Sequence, residues 1–301
     1  MSAAWAMLMS QIMFKKMNED IQTINLDDYI QTGEGGTALT YNHKDGQTLA
    51  KLFQPSLAAD NAMREFRINQ VVYDLGLPTP KPIRLITDGT RFGAEYELIQ
   101  HKRSFCRIIS QEPERLLPLS EHFARLARQI HQTPADTQRL PDMKQLVAAA
   151  VDQLVNLPKD YKRRVLSFLD TVPSATTCLH GDLHIGNIIT DGERDLWIDV
   201  GDFAYGVPEW DLSMMYFSSH FLSPERCDNI FHLDPPTMAA HWDAFAPVYF
   251  GTDNKEALEA EVCRLQPDTG AKLTFLLCKL SDGKHPFSGF LQRILDTYMA
   301  Q

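Results

Sequence analysis

Three polar residues in one short stretch carry the chemistry that this sequence suggests. Asp182 is followed five residues later by Asn187, and Asp199 lies beyond a short turn. Carboxylate and amide oxygens are the ligands that a hard cation such as Mg²⁺ prefers. Two of the three could hold the ion while a further Asp acts as base. That set suits Mg²⁺-assisted phosphoryl transfer, where positioning and charge neutralisation do most of the work.

The flanking residues say how such a set is held. Ile188-Ile189-Thr190 and Leu196-Trp197-Ile198 are apolar and β-prone, and Asp191-Gly192 lies between them. An Asp-Gly pair between apolar runs predicts a hairpin. Asn187 then stands at the start of one strand and Asp199 at the end of the other.

Upstream, Leu26 to Phe53 predicts three strands, with a turn at Asp45-Gly46. Gly33, Gly35 and Gly36 lie in a strand–turn–strand where bare backbone N–H groups could approach phosphate oxygens. Lys51 sits in the apolar run Leu49 to Phe53 and belongs at the surface unless its ammonium has a partner. Ala58 to Gly76 predicts a helix with Ala62, Phe66, Val72 and Leu75 on one stripe, and Glu65 on it is the candidate mate for Lys51. Pro82 to Thr87 and Arg91 to Gln100 predict two more strands. From Pro113 the pattern turns helical. Leu119 to His131 (Ser120 as N-cap), Met143 to Leu154 and Lys159 to Leu169 are amphipathic. A helix opens after Gly206, and helices fill most of Pro235 to Tyr298, with breaks expected at Gly251, Gly270 and Gly283.

The run His180-Gly181-Asp182-Leu183-His184-Ile185-Gly186-Asn187, followed by Ile198-Asp199, resembles the aminoglycoside phosphotransferase and choline kinase-like family of protein-kinase-like small-molecule kinases. Its spacing also matches the protein-kinase catalytic loop. The resemblance covers roughly Ile30 to Leu212. It implies an α+β, two-lobed fold: a small antiparallel sheet lobe with one helix, and a large helical lobe carrying the catalytic hairpin. The expected division is an N-terminal extension at 1–17, a nucleotide-binding lobe at 18–100, and a catalytic and substrate-binding lobe at 101–301. It implies ATP and Mg²⁺ as cofactors and a small-molecule hydroxyl as acceptor. Asp182 would be the base, and Asn187 and Asp199 would ligate the metal. Lys51 and Glu65 would orient the nucleotide phosphates beside Gly33, Gly35 and Gly36, and Glu97 and Ile99 would flank the adenine. His180 is expected to brace the loop, Asp211 to tie back to it, and His131 to be scaffolding. Two departures stand out. Ala38 replaces the third glycine of the protein-kinase loop, and Val200-Gly201-Asp202 stands where Phe-Gly would follow the metal Asp, against a kinase-type activation switch.

Composition removes other classes. The chain of 301 residues has 39 acids against 29 Lys and Arg, a net charge of −10, which disfavours a nucleic-acid partner. Five scattered cysteines without CxxC spacing argue for reduced thiols in a cytoplasm, and against a disulfide framework or zinc site. No apolar run approaches the eighteen or so residues of a membrane span, so no membrane partner is expected. Met1 to Lys16 holds no acid and reads as an extension, with Met17 an alternative start. Between Asp191 and Glu261 there are fifteen acids and three bases, net −12. Facing a cleft, that excess would favour a cationic acceptor such as an aminoglycoside, amino sugar or amino alcohol. Two alternatives follow from the same residues. One is a catalytically degenerate, nucleotide-binding regulator. The other is a metallohydrolase using His180, Asp182 and His184 at alternate positions.

Overall fold

The computed structural model describes residues 21–301 except 35–36, 56–58, 155–158, 282–292, 294–295 and 299–301. The extension at 1–17, Gly35 and Gly36, and the expected break at Gly283 fall outside the described residues. The chain divides into two compact units, one of residues up to Lys102 with Asp191–Gly201, the other of Arg103–Thr190 with residues from Asp202 onward.

In the first unit, β1 (Gln22–Thr23), β2 (Tyr29–Glu34), β3 (Ala38–His43), β4 (Thr48–Phe53), β5 (Pro82–Thr87) and β6 (Phe92–Glu97) form one sheet in the order β1-β5-β6-β4-β3-β2. Every pairing is antiparallel except β1 with β5. The three predicted strands between Leu26 and Phe53 and the two after Pro82 are all present. Helix α1 (Ala59–Asp74) joins β4 to β5 and buries Ala62, Met63, Phe66 and Val72. Met63 and Phe66 pack with Leu85, Ala94 and Tyr96 of the sheet. Alternation along β4 places Ala50 and Leu52 in the core with Tyr29 and Tyr41, which turns Lys51 to the opposite face.

The second unit begins with β7 (Arg103–Ser104) and α2 (Phe105–Gln111), capped by Ser104 Oγ accepting from Arg107 N at 3.2 Å. Then come α3 (Leu116–Gln132), α4 (Met143–Gln153), α5 (Lys159–Thr171), β8 (Thr177–Leu179) and β9 (Ile188–Thr190). The chain crosses to the first unit for β10 (Asp195–Trp197) and returns for β11 (Ala204–Gly206), α6 (Glu209–His220), α7 (Pro224–Phe231), α8 (Pro235–Phe250) and α9 (Lys255–Ser281). β7 pairs with β9, and β8 with β11, both antiparallel. A core of Val147, Val151, Leu169, Leu179, Trp210, Phe217 and Leu273 joins α4, α5, α6 and α9. No helix among the described residues is long and apolar enough to cross a membrane.

Two helix expectations need correction. Ser120 is not an N-cap. It lies inside α3, buried, with Oγ donating to Leu116 O at 2.6 Å. Pro118 lies in the first turn, where its missing N–H costs nothing, so the helix starts earlier than the apolar stripe suggests. The expected break at Gly270 is also absent, since α9 runs unbroken through Pro267 and Gly270. Burial of Leu265, Thr269, Ala271 and Leu273 outweighs the poor propensity of those two residues. The break at Gly251 holds, where the glycine caps α8 with φ 71°.

Candidate active site

In the first unit, Lys51 on β4 is the centre of an ion-pair cluster. Its Nζ lies 2.9 Å from Glu65 Oε1 on α1 and 2.8 Å from Asp199 Oδ1. Burial alone would depress the lysine, but the charges of Asp199 and Glu65 outweigh it and push its pKa above the ordinary range. Tyr96 on β6 feels the same group. Burial, then the Glu65 charge, raises its phenol. Lys102 is pulled down by burial and back up by Asp199.

Each member is fixed by local structure. Asp74 ends α1, Gly76 turns the chain at φ 76°, and the extended Pro78-Thr79 that follows grips Trp197. Trp197 N donates to Pro78 O at 2.8 Å, and Thr79 Oγ1 donates to Trp197 O at 2.9 Å. That clamp delivers Asp199 two residues later. Asp199 adopts a left-handed backbone, φ 52°, unusual for a residue with a side chain. The Asp191-Gly192 turn forms as predicted, with Asp191 Oδ1 accepting from Glu193 N and Arg194 N.

The remaining first-unit candidates have visible neighbours. A Cβ at Gly33 would lie 2.6 Å from Thr40 Oγ1, so strand packing alone accounts for a glycine there. Glu97 closes β6, and its carboxylate accepts from Lys81 N at 3.3 Å and Arg194 at 3.2 Å. Ile99 is buried.

The second unit carries the loop. β8 is stitched to the end of α3, where Cys178 N donates to Thr133 O at 2.9 Å. His180 and Gly181 then donate their backbone N–H groups to the two oxygens of Asp211 at 2.7 and 2.9 Å. Asp211, on α6, is buried and also meets His131 Nε2 at 3.1 Å, while His131 Nδ1 meets the Tyr249 hydroxyl at 2.6 Å. Burial alone would raise the Asp211 carboxyl. The His131 hydrogen bond, with the charges of His131, Lys272 and His180, overrides it and holds the group below the usual range. Gly181 has no substitute, because its φ is 83° and a Cβ would meet Asp202 O at 2.0 Å.

The loop so held presents Asp182, whose side chain is 58% exposed. Asn187 is buried, and its Nδ2 donates to Asp182 O at 3.0 Å, which commits the nitrogen and leaves the amide oxygen as the atom suited to a metal. His184 caps the one-turn helix Ile185–Asn187, accepting from Gly186 N at 3.1 Å, with its ring edge-on to Phe231 at 5.2 Å. His180 is fully buried beside Phe203. Among the described residues no group of three His, Cys, Asp or Glu side chains is disposed to hold a metal ion. The metallohydrolase alternative therefore loses its ligand set. An Asn oxygen with one carboxylate fits the donor chemistry of Mg²⁺, which keeps waters and takes substrate phosphates as its other ligands.

The sequence reading missed the Lys51–Asp199 bond and the Tyr249–His131 link. Neither leaves a local pattern, since the first spans 148 positions and the second 118.

A sheet lysine paired with a glutamate on α1, and an Asp-bearing loop tied to a buried helix carboxylate, are the arrangement expected of a kinase-like phosphotransferase. The sequence profile of the phosphotransferase enzyme family matches residues 29–245, and the chain belongs to that family. No curated protein matches the sequence at a significant level. Solved structures share the fold. A choline/ethanolamine kinase family protein from Mesorhizobium loti is 16% identical, with 90% of this chain and 87% of that one covered and a TM-score of 0.54. A thermostable mutant of aminoglycoside phosphotransferase APH(4)-Ia, in ternary complex with AMP-PNP and hygromycin B, is 13% identical over 91% and 93%, with a TM-score of 0.60. The GDP and kanamycin complex of APH(2")-IIia is 14% identical over 97% and 99%, with a TM-score of 0.55.

Proposed function

We propose that this phosphotransferase moves the γ-phosphoryl group of ATP to a hydroxyl of a small cationic molecule, an aminoglycoside, amino sugar or amino alcohol. The observation that carries the reading is Lys51, an ammonium held within 2.9 Å of both Glu65 and Asp199 on one face of the sheet. In the reading, Lys51 takes nucleotide phosphates and Glu65 keeps it aimed at them. Gly33, Gly35 and Gly36 would leave room for the phosphates, and the backbone near Glu97 and Ile99 would hold the adenine. Asp182 accepts the proton of the acceptor hydroxyl as its oxygen attacks phosphorus. Asn187 and Asp199 would hold Mg²⁺, which when bound spreads the charge of the phosphoryl oxygens. The nucleotide and aminoglycoside complexes of the structural neighbours support this class of substrate.

For the acceptor, support comes from the acid excess between Asp191 and Glu261. A cavity of about 500 Å³ in the second unit is lined by Tyr216, His220, Trp242 and Asp243, with Glu259 paired to Lys255 at 3.9 Å on its wall. Aromatic faces and carboxylates are what an organic cation prefers.

The test is ATP consumption over a panel of amines, sugars and antibiotics. A cationic acceptor should stimulate turnover that Asp182→Ala abolishes, and its KM should rise with salt as exposed charges are screened. A protein that binds nucleotide but is stimulated by no acceptor would be the non-catalytic regulator instead. A neutral or anionic best acceptor would end the substrate argument alone.

A further inference from the structure

Gly201 obeys a constraint that its own backbone does not impose. It lies in the single turn Val200–Asp202, and its φ is outside the left-handed region, so the conformation there is open to any residue. A neighbour excludes the side chain. A Cβ at Gly201 would fall 2.7 Å from Glu65 Cγ, 3.0 Å from Cδ and 3.1 Å from Oε2. The other oxygen of that carboxylate, Oε1, is the one that holds Lys51 at 2.9 Å.

We infer that Gly201 is a positioning residue for the Lys51–Glu65 pair. Its missing side chain lets the Glu65 carboxylate lie against the backbone and meet the lysine. The inference rests on the proposed reading of Lys51 as the phosphate ligand. The backbone of Glu65 is fixed, because Asn69 Nδ2 donates to Glu65 O at 2.9 Å within α1. Val200, next to Gly201, is buried and anchors the other side. Only the outer atoms of the Glu65 side chain can yield to an added methyl group. The fold therefore tolerates the substitution, whereas the carboxylate does not keep its place. With Glu65 displaced, Lys51 retains Asp199, at 2.8 Å, as its remaining partner in this cluster, and its ammonium is drawn toward that carboxylate. One methyl group two residues beyond Asp199 thus changes how the phosphate lysine is aimed.

The test compares Gly201→Ala, Glu65→Ala, the double variant and Lys51→Ala, reading affinity for a fluorescent ATP analogue and the melting temperature. Gly201→Ala should weaken nucleotide binding by about tenfold, the scale of one charge-assisted contact, with Tm little changed. In the Glu65→Ala background it should weaken binding no further, because the two changes act through one carboxylate. Unchanged binding in Gly201→Ala, alongside a loss in Lys51→Ala, overturns the inference and leaves the nucleotide reading standing. Unchanged binding in Lys51→Ala overturns both. Additive losses in the double variant also overturn it. So does a fall in Tm that Glu65→Ala in the same chain fails to relieve, since the obstruction would then lie elsewhere.

Discussion

Lys51 in the first unit and Asp211 in the second are both ionised groups with several partners, and they are housed in opposite ways. The partners of Lys51 are side chains, and although Lys51 and Glu65 are only 20% and 19% exposed, Asp199 is 55% exposed. The partners of Asp211 include two backbone N–H groups, and its side chain is completely shielded from solvent. Groups near water can exchange a protein partner for a ligand at little cost, because the solvation lost and gained is small. A buried carboxylate cannot, since every donor removed leaves charge without compensation in a medium of low dielectric. The first cluster is suited to receiving something, and the second to holding a loop still. The difference follows from burial more than from the residue types involved.

The sharpest way to break that contrast is at the exposed residue which the buried network carries. Asp182→Ala should lower kcat by about 10²–10⁴-fold, the usual worth of a positioned base, with no loss of stability. Near-normal turnover would remove Asp182 from the chemistry. Next comes the anchor itself. Asp211→Ala strands two backbone donors and His131 in the core, and should cost about 3–5 kcal/mol in a urea titration. A cost below about 1 kcal/mol would mean that the loop is held by something else. Lys51→Ala should instead weaken nucleotide binding by about ten- to a hundredfold, with a smaller loss of stability than Asp211→Ala, because Asp199 at least can turn to water. The opposite pattern, a large fall in Tm with intact kinetics, would make it a structural ion pair.

The smallest effect concerns pH. His241 is buried against Ser120 Oγ at 2.8 Å, and burial, with the His184 charge, pushes its pKa down to about 3. Below about pH 6.5 the unfolded chain takes up a proton that the folded one refuses, so stability should fall as pH drops from there toward 3. The loss reaches about 2 kcal/mol by pH 5 and should be absent in His241→Gln. Equal slopes for the two proteins between pH 7 and 5 would count against the buried, neutral histidine.

The expectations differ in how they fared for reasons that lie in distance along the chain. The hairpin turn at Asp191, the antiparallel strands from Tyr29 to Phe53 and the cap at Gly251 rest on neighbours a few residues away, and all appear. Ser120 and Gly270 misled because the local signal was overridden. In one case a first-turn proline let the helix begin sooner, and in the other core burial carried α9 past a glycine.

By itself the sequence determined the chemistry available: an Asp–Asn loop, a distant Asp, a lysine in an apolar strand and a glutamate on the following helix. Residue type and short-range periodicity are enough for that. Only the tertiary structure decided that Lys51 bridges two carboxylates, that Tyr249 and His131 stand behind Asp211, and that Gly201 makes room for Glu65. Apart from Lys51 and Glu65, those contacts join residues 80 to 148 positions apart, or depend on distances set by a single methyl group. They depend on how packed elements approach, and no pattern within one element encodes that.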